Sequence, residues 1–226
     1  MNDFVETPVE YPVSIWEGVA ITAGAVLLVI AGLAGLGIKA LGNAFDAERA
    51  EAIAQSLMTY EIPGGSRGFF GTNIGGGKMA VVTSIATVTP ATSPGASPQS
   101  PQSIPTVELF LARMPLVAPE TATEEPNPSP EPRNELFSGF SFSFQDPATF
   151  QVNEARTEEK PVCGMITPVE IQQGSLTVAS DAAPLPAVKY EAKRVLDDES
   201  HIVVISALGD RAAEQANQVF NSLVCQ

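Results

Sequence analysis

The sequence predicts an α+β protein: an N-terminal transmembrane helix, then an antiparallel sheet with helices packed on one face, interrupted by Pro-rich disordered inserts. Three observations lead there. Gly18 to Ile38 is 21 residues without a charge. Beyond it, short β-branched runs alternate with turn signals. Two amphipathic stretches, one on either side of those runs, have helical spacing.

Each segment follows in order. Residues 1–15 form an acidic tail without Lys or Arg. Residues 16–40 hold the membrane helix. At 1.5 Å per residue its uncharged part spans roughly 30 Å, the thickness of a bilayer's hydrocarbon. Trp16 suits one headgroup region and Lys39 the other. A cleavable signal peptide fits poorly, because the leader lacks basic residues and the apolar stretch is too long. Ala20, Gly24, Ala31 and Gly35 fall on one helical face, where small side chains admit a second helix. That face implies self-association or a membrane-protein partner, with the lipid bilayer as first partner.

Residues 44–89 hold a juxtamembrane helix over Phe45–Tyr60, set off by Gly42 and Asn43, and a Gly-rich strand region with a strand from Met79 to Val88. Residues 90–105 are a Pro/Ser-rich insert with no core-forming pattern. Residues 106–118 carry the second strand of a hairpin, and 119–134 a Pro/Glu-rich linker. Residues 135–226 complete the domain. Phe140, Phe142 and Phe144 alternate with serine, a period-2 strand whose aromatic face lies on the core, lines an apolar groove for a lipid, pigment or partner segment, or dips into the membrane. Gln172-Gln173-Gly174 reads as one hairpin turn and Asp197–Ser200 as another. Asp210 suits the N-cap of a last amphipathic helix over 211–225.

The chemistry is sparse. With 26 acidic against 12 basic residues the net charge is −14, which opposes nucleic-acid binding. One histidine, His201, and two cysteines exclude most metal sites. Gly64-Gly65-Ser66-Arg67-Gly68 matches a nucleophile elbow, with His201 as the sole available base, but no helical run follows the serine. Thr72 to Met79 approaches a phosphate loop, yet a strand follows Lys78 instead of a helix. No catalytic constellation, cofactor or metal is expected. Cys163 and Cys225 either form a disulfide closing a long loop or remain two buried thiols; the sequence leaves both open. An even cysteine count and the Pro/Ser/Thr stretch tip the soluble domain to the extracytoplasmic side, against the two basic residues that follow the helix.

AIAQSLMTYEIPGGSRGFFGTNIGGGKMAVVTS followed by VELFLARMP resembles uncharacterised bacterial single-pass membrane-anchored proteins, cyanobacterial ones in particular. Tyr60, Pro63, Gly64, Gly75, Gly76 and Pro115 carry the resemblance, which covers under a third of the chain. The 90–105 insert departs from the family's compact pattern. The resemblance implies an envelope or thylakoid setting and no catalysis. The functional expectation is a membrane-anchored, non-enzymatic binding or accessory protein, with apolar-ligand binding as the alternative and serine hydrolysis as a remote one.

Overall fold

A computed structural model describes residues 15–89, 103–116, 139–141, 149–178 and 182–225. The chain divides into two compact units at Gly42 and Asn43. In the first, the uncharged stretch is helical throughout: α1 spans Ile15–Ala44. Among the described residues no helix is long and apolar enough to cross a membrane. Several α1 side chains, Ala20 included, lie outside the described set. Open space lies beside Gly24 and Gly35, and Ala31 is exposed.

The second unit is α+β. Helix α2, Ala47–Leu57, starts where Asp46 accepts a hydrogen bond from the Arg49 N–H at 2.8 Å. That cap satisfies a backbone donor the helix cannot satisfy itself. The break between α1 and α2 therefore falls at Phe45-Asp46, three residues beyond the expected Gly42-Asn43. Strand β1, Met58–Thr59, follows, then β2 over Ser66–Ile74 and β3 over Gly77–Ser84. The single strand expected over 79–88 is divided: β4 is Thr87–Val88. It pairs with β5, Ile104–Pro105. The last residues of the expected 90–105 insert thus belong to the fold, while 90–102 and the linker 119–134 lie outside the described residues.

Strand β6 is Val107–Pro115, β7 Thr149–Val162, β8 Met165–Thr177, β9 Leu185–Leu196 and β10 Glu199–Leu208. They join β2 and β3 in one antiparallel sheet of order β2-β3-β6-β10-β9-β8-β7. Three hairpins in it turn on two residues, both at positive φ: Gly75-Gly76, Cys163-Gly164 and Asp197-Asp198. Such turns match the twist of the paired strands. The expected turn at Gln172–Gly174 is corrected: β8 runs straight through it. Gly174 lies instead where the Gln151 backbone closes on it, beside a bulge between Val152 and Glu154. A glycine inside a strand marks close backbone approach as readily as a turn.

Helix α3 is Ala212–Ser222. Arg211, not Asp210, stands at its N-cap, and no side chain caps it there. The final strand β11, Val224–Cys225, pairs with β1. Both α2 and α3 cover one face of the sheet. Ile53 and Leu57 from α2, and Ala216, Val219 and Phe220 from α3, share a core with Leu109, Leu111, Val203 and Ile205. Gly68 and Gly71 bring α2 onto the backbone of β2; a Cβ at Gly71 would stand 2.6 Å from the Ala50 Cα. A bulge between Gly68 and Phe70 turns both glycines to the helix although they are three apart. The rings of Phe69 and Phe70 meet Phe45, at 6.0 and 5.3 Å between centroids.

Candidate functional site

Among the described residues, the sheet face opposite α2 and α3 carries the most concentrated buried polarity. Strand register places Thr83 opposite Glu108, Glu108 opposite Ser206, and Ser206 opposite Lys189. Side chains directly opposite in an antiparallel pair have Cβ atoms roughly 5 Å apart. The four therefore form one row across four strands. Glu108 and Ser206 are 3% exposed and Lys189 6%. A buried charge is costly unless paired and hydrogen-bonded. Lys189 meets that demand locally: its Nζ lies 3.1 Å from Glu191 Oε2 and donates to the Gly139 carbonyl at 3.1 Å. Ser206 Oγ donates to the next carbonyl, that of Phe140.

Gly139, Phe140 and Ser141 thus lie across the sheet, outside any strand. The Phe140 ring is buried in a separate apolar cluster with Ile104, Leu176, Ala187 and Leu208, and stacks at a tilt on Phe150 with centroids 4.5 Å apart. The expected period-2 strand is corrected at this point: Phe140 sits in a bend, and it fills an apolar site rather than lining an empty one. Phe142 and Phe144 lie outside the described residues. Sequence reading missed Glu108, Ser206 and Lys189. The available signal was a lone charge inside each apolar strand, Glu108 in VELFL and Lys189 in AVKY.

The hydrolase arrangement is not assembled. Ser66 belongs to β2 and donates to Glu51 Oε1 at 2.7 Å. Ser66 pairs with Ser84, whose hydroxyl accepts from the Val107 N–H, and Val107 pairs with Ala207 of β10, six residues from His201. Six residues of strand are roughly 20 Å. His201 lies between Arg113 and Arg194 on the neighbouring strands. Burial first, and then these guanidiniums, hold its pKa below the ordinary imidazole range, against the pull of Glu199 and Asp197. The phosphate-loop pattern is likewise a hairpin, with Gly75-Gly76 as its turn and Lys78 inside β3. Among the described residues no three His, Cys, Asp or Glu side chains group as a metal site.

Two further features flank the core. Cys163 and Cys225 form a disulfide, 5.1 Å between Cα atoms, that ties the β7–β8 turn to β11. A depression of about 340 Å³ surrounds it, lined in part by Pro161, Phe220, Leu223 and Val224. Just after β1, Tyr60 lies beside Glu51 and Ser66, its phenol pushed up to about 12 by burial first and the Glu51 carboxylate second, against the Ser66 hydroxyl. The fold therefore favours the neutral phenol. Its contribution to stability is complete below pH 10, the ordinary tyrosine value, and is lost as pH climbs from there to 12. Ultraviolet difference titration of the wild type and Tyr60→Phe should show one late phenol missing in the variant. The variant's stability should fall less over that window.

No protein-family model and no curated protein matches the chain.

Proposed function

We propose that the chain is a single-pass membrane protein whose α+β domain works by binding, as an accessory module of a membrane complex on the extracytoplasmic side. The observation that carries this reading is the 21-residue uncharged stretch Gly18–Ile38 lying wholly inside the 30-residue helix α1. A helix satisfies its own backbone polar groups, which is what lipid requires of a spanning segment. The disulfide supports an oxidising compartment, since cytosolic thiols are kept reduced. The resemblance to bacterial membrane-anchored proteins agrees with both. Binding in place of catalysis is supported by the separation of Ser66 from His201 and by Lys189 and Ser206 holding a polypeptide segment.

Cell fractionation tests the anchor. The full chain should stay in the membrane pellet through alkaline carbonate washing. Removing residues 18–38 should release it. Recovery of the intact chain in the supernatant would overturn the anchor. In intact cells, an impermeant maleimide should label Cys163 and Cys225 only after reductant. Labelling without reductant, and only by a permeant reagent, would overturn the extracytoplasmic placement.

A further inference from the structure

Lys189 and Ser206 direct two buried donors at consecutive main-chain oxygens, those of Gly139 and Phe140. Between these contacts and the apolar cluster, the Phe140 ring is held by Ile104, Leu176, Ala187, Leu208 and Phe150. This combination has a recognisable logic. Side-chain donors to two consecutive carbonyls hold a bent main chain whatever its side chains, and a ring pocket fixes which residue sits where. Gly139–Ser141 takes no part in the sheet ladders, so its seat is a set of side-chain contacts and not a strand position. Serine and phenylalanine also alternate onward through Phe142 and Phe144. A two-residue shift of the chain thus presents the same small-then-aromatic chemistry to the same seat.

We propose that this place on the sheet face opposite α2 and α3 is a docking site for a bent protein segment bearing a small residue followed by an aromatic one, and that Gly139–Ser141 occupies it in cis. The inference rests on the reading of the domain as a binding module and names the chemistry of its partner. A tethered segment acts at an effective concentration that reaches millimolar, so the cis occupant competes with any partner. The partner's segment binds when it displaces that occupant.

The test uses the full chain in detergent micelles and a fluorescent peptide reproducing residues 138–141. In the variant F140D/F142D/F144D the seat is vacated, because a carboxylate disfavours the apolar cluster and no neighbouring phenylalanine is left to slip into it. The peptide should bind this variant at least tenfold tighter than the wild type by fluorescence anisotropy. Adding K189M and S206A should weaken it at least tenfold. Equal binding by variant and wild type, or binding indifferent to K189M and S206A, would overturn the proposal. If the triple variant loses the circular dichroism of the sheet, wild-type hydrogen exchange decides. Millimolar peptide should speed exchange of the 139–141 amides, and unchanged exchange would overturn the site. Fractionation reports on the anchor separately, so failure of either reading leaves the other measurable.

Discussion

Gly68→Ala should unfold the domain at a markedly lower temperature than the wild type. A Cβ at this position would stand 2.8 Å from the Glu51 amide nitrogen and 2.9 Å from the Ala50 Cβ, and closer still to the Ala47 carbonyl oxygen. Two of these three are helix backbone, so no rotamer change relieves them. Either α2 lifts from the sheet or β2 bends away. Lifting α2 uncovers Ile53, Ala54 and Leu57, which are buried in the main core. Overpacking of this kind typically costs about 1–3 kcal/mol, and rigid backbone places this case at the upper end. For a domain of this size about 3 kcal/mol lowers Tm by roughly 6–12 °C. Thermal unfolding of the full chain in detergent, followed by circular dichroism, measures it. Ala50→Gly added to Gly68→Ala should not restore Tm, because the Ala47 and Glu51 contacts persist. A Tm within 2 °C of the wild type, or full rescue by Ala50→Gly, would show that the helix does not sit directly on the strand.

These glycines show what the sequence could and could not say. Turn chemistry was legible where it is local. Gly75-Gly76 was read within a Gly-rich region, and Asp197-Asp198 as a hairpin between alternating strands. Cys163-Gly164 was hidden, because cysteine is no turn signal and Gln172-Gln173-Gly174, nine residues on, imitates one. The purpose of Gly68, Gly71 and Gly174 was invisible for a different reason. Each accommodates backbone distant in sequence, α2 for the first two and Gln151 for the third. The amphipathic faces of α2 and α3 were legible from spacing alone, since Ile53 with Leu57, and Ala212, Ala216, Val219 with Phe220, do lie on the core. The polar row was not. Glu108, Ser206 and Lys189 are separated by up to about a hundred residues, and only strand register makes them neighbours. Local pattern determines which face a residue takes; it does not determine which strands are adjacent.

Reduction of the Cys163–Cys225 bond is expected to have the largest effect of any change of two atoms in the chain. The bond joins residues 62 apart in sequence. In the chain-entropy account, closing a loop of that length removes unfolded-state freedom worth about 4 kcal/mol at room temperature. The native side of the balance is also local. Cys163 occupies a turn position with φ of 54°, where glycine or asparagine is ordinarily favoured. Strand β11 pairs with β1 at two positions only, Met58 with Cys225 and Thr59 with Val224. The covalent link therefore anchors a ladder too short to persist independently. The double variant C163S/C225S should lose about 4 kcal/mol in urea unfolding, with the loss reproduced by reductant on the wild type and absent when reductant is added to the variant. Amide exchange should rise first at Val224, Cys225 and Thr59, and least at Leu109, Leu111 and Ile205 in the sheet centre. Equal stability of wild type and variant under oxidising conditions would show that the bond is not formed in the native protein. It would also withdraw the strongest support for an oxidising compartment. Stability lost evenly across the sheet, with no early opening of β11, would instead show that the bond acts on the unfolded chain alone.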